Sequence, residues 1–414
     1  MNEPALALEA RTARAVYQAT GGESVVQALI KLLPAGRGAP RLPLHVTILI
    51  ERGPGMAQEG RLEAVVQAVR AALDVLAPTD WVSIATYGDR GKLVLSAEAL
   101  GDGLKARRLL GFLDAQQVGE GAALLAGMKA MAEDVAARPG AAWARRVLLF
   151  TASPSTPAVV LQEGDVEVLA RGWAEAGVGI AVFGLGAAWN ASFLTRLADV
   201  ARGSVRHVAR LAELAPLVRA ELAEPLVLAD VRLRMRFARG VRLRRFMQVF
   251  PAVAHWLPLQ PSDREAVARV GELSGDRPSY LLAELVIPRQ APNTLRLATI
   301  EAIFTSASGR QGSAPPVDLV VAFGPEASGS TPEAARQEEA FQAYALVERA
   351  LEARRAQQPE RARTFLANAR PLAGDRPLAR PLDEALGALT GGLPFTDTMA
   401  IGLLMAARHP DERS

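Results

Sequence analysis

The sequence predicts an α/β domain with a mostly parallel sheet, then an antiparallel β-sandwich and a helical C-terminal region. Three observations lead to this prediction. Apolar strands alternate with amphipathic helices over residues 43–223, as in parallel sheets that helices cover on both faces. Alternation of apolar and polar residues dominates residues 226–323, which is typical of sandwich strands. Helical periodicity returns over residues 331–409.

Composition limits the classes of protein to consider. The 414 residues suggest two or three domains, and half of them are hydrophobic, enough for sizeable cores. The absence of cysteine excludes disulfides and thiolate metal sites. No apolar run reaches the roughly 18 to 20 residues that cross a bilayer, and the first residues lack the features of a secretory signal. We therefore expect a cytoplasmic protein without a membrane partner.

The elements follow from the chain in order. Residues 5–33 predict two strands, over 6–10 and 26–32, before a Gly- and Pro-rich loop. In the α/β segment, strands are predicted at 44–51, 81–87, 92–95, 147–151, 179–184 and 205–208. Between them, one helix contains Leu62 to Leu76, two fill 102–137, and others span 163–176, 191–202 and 210–223. The first helix carries an apolar face with a period of 3.6 residues.

The later elements have equally clear signals. Period-2 alternation over Val231–Phe237 and Tyr280–Ile287 predicts sandwich strands. The segment Thr331-Pro332-Glu333 is a helix start, with a hydroxyl capping residue and a proline in the first turn. The alanine-rich residues 340–373 predict a helical hairpin broken near Gln358-Pro359.

The most informative segment follows the first α/β strand. His45–Ile50 runs into Glu51-Arg52-Gly53-Pro54-Gly55-Met56. Further along the chain come Thr79-Asp80-Trp81-Val82, Ala126-Gly127-Met128, Leu148-Leu149-Phe150-Thr151 and Gly184-Leu185-Gly186-Ala187-Ala188-Trp189-Asn190. In this order, over residues 44–223, they resemble von Willebrand factor A (vWA) domains. The flanking regions are similar to those of bacterial vWA proteins.

The resemblance implies a domain layout. Residues 1–40 would supply N-terminal strands of a β-sandwich, 41–224 a vWA-like domain, 225–328 the rest of the sandwich, and 329–414 a helical C-terminal region. On this expectation the vWA-like domain is inserted in the sandwich.

The family's metal site is degenerate in this sequence. Where vWA domains carry Asp, Ser, Ser, Thr and Asp as ligands, the chain has Glu51, Gly53, Gly55, Ala122 and Ala152. A hard cation such as Mg²⁺ needs oxygen ligands, which glycine and alanine side chains lack. Arg52 adds a competing positive charge. We therefore predict neither a bound metal nor another cofactor, and we find no catalytic constellation, so we predict that the chain is not an enzyme.

These observations favour a protein-interaction role. Because ligands of open α/β sheets bind at the carboxyl ends of the strands, we predict a partner-binding surface formed by Glu51, Arg52, Glu120, Ser153 and Ser155. The resemblance implies a scaffold or adaptor in a bacterial assembly with a MoxR-type AAA+ ATPase or a kinase or phosphatase component. Homo-oligomers are also compatible with the sequence.

Two alternatives stay open at this point. Arg232, Arg234 and Arg236 alternate along one strand face and are candidate anion-binding residues for a nucleic-acid-associated scaffold in a defence or chromosome-associated complex. Aromatic residues are not interleaved on that face, since Phe237 falls on the opposite side, so a solvated sheet face is the favoured interpretation. A metal-dependent adhesin is disfavoured by the missing ligands and the missing signal.

Overall fold

The computed structural model describes residues 5–19, 22–35, 40–114, 121, 123–136, 142–153, 161–187, 189–256, 264–275, 277–288 and 291–409. The chain forms two compact units. One contains Pro40–Ala229 with Ala307–Gly309, and the other contains Met1–Ala39, Asp230–Ser306 and Arg310–Ser414. An α/β unit is therefore inserted between two segments of chain that fold together.

Strands and helices follow each other much as the periodicity predicts. The strands are β1 (Ala5–Thr12), β2 (Val16–Gln18), β3 (Ser24–Ala35), β4 (Leu44–Glu51), β5 (Trp81–Tyr87), β6 (Gly91–Ala99), β7 (Ala144–Thr151), β8 (Val178–Leu185), β9 (Val205–Val208), β10 (Leu226–Phe237), β11 (Arg242–Phe250), β12 (Ala254–Trp256), β13 (Glu265–Ser274), β14 (Ser279–Ile287), β15 (Asn293–Ser306), β16 (Gln311–Ser313) and β17 (Val317–Gly324). The helices are α1 (Arg61–Leu73), α2 (Leu104–Asp114), α3 (Leu124–Ala130), α4 (Ala132–Ala136), α5 (Glu163–Glu175), α6 (Ala191–Val200), α7 (Leu214–Ala223), α8 (Pro332–Arg355), α9 (Pro359–Ala373), α10 (Ala379–Thr390) and α11 (Asp397–Arg408).

The α/β unit is built on a six-stranded sheet in the order β6-β5-β4-β7-β8-β9. All neighbouring pairs are parallel except β5 and β6. Central strand β4 is buried at every position, because helices cover both faces of the sheet. In register, Ile48 lies between Ile84 and Leu148. The carboxyl ends of β5, β4 and β7 therefore lie side by side.

Helix α1 packs into the core of the α/β unit through its periodic apolar face. Its Leu62, Val65, Val66 and Val69 are buried in one core with the apolar residues of β4. Burial of an aliphatic side chain of this size contributes about 1.5 to 3 kcal/mol. Gly60, with φ of 70°, supplies the left-handed turn just before the helix.

The second unit contains a β-sandwich. One sheet has the order β1-β3-β14-β11-β12, and the other has the order β13-β10-β15-β17-β2, with β16 paired to β15. In the first sheet β3 pairs antiparallel with β14, with Ile30 opposite Leu281. The N-terminal segment and the segment after the α/β unit thus share one sandwich, as the resemblance implies. Residues 5–33 hold three strands rather than the predicted two, because the short β2 is defined by its distant parallel pairing with β17.

The helical region completes this unit. Thr331 caps α8 by accepting a hydrogen bond at Oγ1 from the Ala334 amide at 3.3 Å, and Pro332 follows it. Helix α9 begins at Pro359, so the break in the hairpin falls where the proline predicts it. None of the helices in the described part of the chain combines the length and the apolar character needed to cross a membrane.

Candidate functional site

The site lies at the carboxyl end of β4, where Glu51 is fully buried. One carboxylate oxygen, Oε2, accepts hydrogen bonds from Thr151 Oγ1 at 2.6 Å, the Ala152 amide at 3.0 Å and the Ser153 amide at 3.2 Å. The other oxygen, Oε1, accepts from Ser153 Oγ. All four donors come from the end of β7 and the residues after it. Burying a carboxylate costs free energy unless hydrogen-bond donors surround it. This segment supplies the hydrogen bonds that water would otherwise donate.

Tyr87, at the end of β5, extends the network. Its ring is buried, and burial raises the pKa of the phenol well above its usual range, with the nearby Glu51 charge as the second cause. The hydroxyl is in hydrogen-bonding contact with the side chains of Glu51 and Thr151. The phenol therefore stays protonated at neutral pH. Three adjacent strand ends are joined by polar side chains.

The loop after β4 packs directly against the loop after β7. A Cβ atom added at Gly55 would lie 2.9 Å from the Ala152 carbonyl oxygen, closer than a real side chain tolerates. From the start of α1, Arg61 Nη1 donates to the Gly55 carbonyl at 3.0 Å. Gly186, which follows β8 with φ of 73°, lies against the same guanidinium. Glycine is therefore required where these loops meet.

Comparison with known proteins identifies the fold. No protein-family model matches the sequence, and no curated protein sequence matches it. A von Willebrand factor type A protein from Catenulispora acidiphila is similar in structure, with a TM-score of 0.80 at 16% identity over 99% of this chain and 98% of that chain. The chain has a vWA fold.

Two other solved structures share this architecture. The ArnB paralog VWA2 from Sulfolobus acidocaldarius has a TM-score of 0.58 at 12% identity, over 98% of this chain and 99% of that chain. The human COPII-coat protein Sec24c has a TM-score of 0.55 at 14% identity, over 90% of this chain and 57% of that chain. These similarities cover most of the chain and therefore extend beyond the vWA domain.

The residues at the vWA metal position do not fit a hard divalent cation. Gly53, Gly55 and Ala152 have no side-chain oxygen, and both oxygens of Glu51 already accept hydrogen bonds from the chain. Within the described residues, no three His, Cys, Asp or Glu side chains group as metal ligands. Ala122 lies outside the described residues.

The predicted partner-binding residues differ in how exposed they are. Glu51 is fully buried, so its side chain cannot reach a partner; the prediction overlooked that a carboxylate can bind its own neighbouring loop. Arg52 and Ser153 are half-buried at this end of the sheet. The backbone amide of Arg52 donates to the Tyr87 carbonyl at 2.6 Å. Desolvation lowers the pKa of the Arg52 guanidinium. Glu120 and Ser155 lie outside the described residues.

Exposed residues nearby were missed by the sequence reasoning. Gln58, Asp89 and Arg90 are exposed, in the loops that follow β4 and β5. The Ala123 amide donates to the Gly88 carbonyl at 2.7 Å, which holds the β5 loop in place. The signal was present in the sequence, since Asp89 and Arg90 directly follow a predicted strand parallel to β4.

The three arginines of β10 do alternate on one exposed face, while Leu233 and Met235 are buried on the other. Each has a carboxylate partner: Arg232 with Asp230 at 2.6 Å, Arg234 with Glu265 at 3.7 Å and Glu301 at 3.8 Å, and Arg236 with Glu301 at 3.2 Å. These carboxylates compete with phosphate for the guanidinium groups. The geometry favours a solvated face with ion pairs over a nucleic-acid interface.

Proposed function

We propose that this chain is a non-enzymatic scaffold or adaptor that binds a protein partner through a metal-independent vWA domain. One observation carries the proposal: the Glu51 carboxylate is buried and satisfied by Thr151, Ala152 and Ser153. The position that binds a cation in the family is instead closed by hydrogen bonds within the protein. On this proposal the sheet and its loops bind the partner without a metal ion.

The exposed loops around this closed position are the surface that we assign to the partner. Gln58, Asp89 and Arg90 offer exposed amide, carboxylate and guanidinium groups on loops that a sheet supports, and such loops commonly bind ligands. The similarity to Sec24c, a COPII-coat protein, is compatible with a role in an assembly. The AAA+ ATPase or kinase and phosphatase systems that the resemblance implies are the first partners to test.

The test begins with the tagged full chain, purified from its native host at low and moderate salt, with co-eluting proteins identified by mass spectrometry. We expect a defined protein to persist at moderate salt. The variants Gln58→Arg and Arg90→Glu should release it, whereas Arg108→Glu, an exposed control on α2, should retain it. Recovery of nucleic acid alone at low salt, or retention of the partner by all variants, would refute the proposed surface.

A second experiment addresses metal independence. We expect isothermal titration of the purified chain with MgCl₂ and MnCl₂ to show no saturable heat. Saturable binding that disappears in Glu51→Ala would show that Glu51 can leave its hydrogen bonds to bind an ion, and the metal-independent mechanism would then be wrong.

A further inference from the structure

The helical region contains a groove of about 480 Å³ beside the turn that joins α8 to α9. Arg349 and Glu352 line it from the first helix, at a spacing of three residues that places them on one face, and Ala356 and Gln358 line it from the turn. Arg361 and Phe365 line it from the second helix, four residues apart. Its charged and aromatic side chains therefore lie on two packed helices, which hold them at defined positions.

The arginines in this groove differ from those on β10 in their carboxylate partners. Arg349 and Arg361 are exposed, and among the described residues neither has a carboxylate oxygen within the 4.0 Å of an ion pair. Arg361 Nη1 donates to Gln358 Oε1 at 2.8 Å, an uncharged partner. By contrast Arg363, also on α9, pairs with Glu360 at 2.8 Å. Two guanidinium groups in the groove are therefore available to an anion.

The other lining residues restrict what that anion can be. Phe365 is half-buried and provides an apolar wall, while Glu352 contributes one negative charge. A nucleic-acid backbone needs a run of cations for successive phosphates, which two arginines beside a glutamate do not supply. Guanidinium groups pair well with carboxylates, in fork geometry and with charge-assisted hydrogen bonds.

We propose that this groove binds an acidic segment of a protein partner. Arg349 and Arg361 each pair with a carboxylate of the segment, and Phe365 packs against one of its apolar side chains. The inference deepens the scaffold function by naming the chemistry of a partner, and it rests on that function only in taking the ligand to be a protein. The groove belongs to a different unit of the chain from the vWA loops.

The test is fluorescence anisotropy with the purified full chain and a fluorescein-labelled heptapeptide of Glu and Asp residues around one central Leu. We expect saturable binding at low salt. Arg349→Ala and Arg361→Ala should each weaken it about tenfold, because each removes a charge-assisted contact. Phe365→Ala should also weaken it, whereas the control Arg363→Ala should stay within about twofold because its guanidinium is already paired.

Two kinds of result would overturn the proposal. One is absence of saturable binding, or equal affinity in all variants. The other is tighter binding of an oligo-dT competitor than of the peptide, which would assign the groove to nucleic acid. Neither kind of result depends on the vWA loops. The peptide assay tests the groove and the purification of Gln58→Arg and Arg90→Glu tests the loops, so either proposal can fail without the other.

Discussion

Glu51 and the β10 arginines were both selected from the sequence as charged binding residues, and both are satisfied within the protein in opposite ways. Glu51 is buried and surrounded by hydroxyl and amide donors. The arginines are exposed and pair with carboxylates on the sheet surface. Removing a buried acceptor leaves its donors unsatisfied, whereas removing one partner of an exposed ion pair returns the other to water. The loss of a charged side chain thus has a very different energetic cost in the two regions.

The largest effect that this comparison predicts is for Glu51→Ala. We expect the free energy of unfolding of the vWA domain to fall by about 3 kcal/mol, because buried donors lose their acceptor. Urea unfolding followed by tryptophan fluorescence measures this, since Trp81, Trp143, Trp173 and Trp189 lie in this domain. The matched control Ser153→Ala, which removes one donor, should cost about 1 kcal/mol. An unchanged urea midpoint for Glu51→Ala would show that the network does not stabilise the fold.

The next effect concerns the contact that closes the site. Gly55→Ala places a Cβ atom 2.9 Å from the Ala152 carbonyl oxygen, and we expect a loss of about 1 to 3 kcal/mol from the resulting overpacking. The control Gly164→Ala has open space around its new methyl group in α5 and should be neutral or stabilising by up to about 1 kcal/mol. If both variants unfold at the same urea concentration, the two loops are not in close contact.

The arginine face should respond less. We expect Arg232→Ala, Arg234→Ala and Arg236→Ala each to change the free energy of unfolding by less than about 1 kcal/mol, since these ion pairs are exposed. Electrophoretic mobility shifts of the triple variant across a salt series test the other role of this face. A steep salt dependence in the parent chain that the triple variant loses would establish nucleic-acid binding there.

The smallest effect comes from His207. Burial lowers the pKa of this imidazole, with Glu213 and the Gly184 backbone acting in the opposite direction. The unfolded chain then binds more protons than the folded one as pH falls through about 6.5, so stability decreases on acidification. We expect the urea midpoint to drop between pH 7.5 and 5.5, and His207→Gln to reduce that drop. An identical drop in both proteins would exclude His207 as its source.

Much of the fold was predictable from local patterns. Strand β4 follows from a mostly apolar run and helix α1 from a 3.6-residue apolar period, and α8 begins at the predicted Thr331 cap. Strand β2 was not predictable, because its three residues are ordered by pairing with β17, some 300 residues away along the chain. Short strands carry too little local pattern to indicate a distant partner.

For the candidate site, the sequence by itself determined which side chains are present and which ligand oxygens are missing at Gly53, Gly55 and Ala152. Tertiary structure alone decided that Glu51 points into the donors of residues 151–153, that carboxylates neutralise the β10 arginines, and that Arg349 and Arg361 share a groove. The physical reason is that residue type and spacing determine local conformation. Whether a charged side chain finds a hydrogen-bonding or oppositely charged partner depends on which distant groups the packed strands and helices bring within a few ångströms of it.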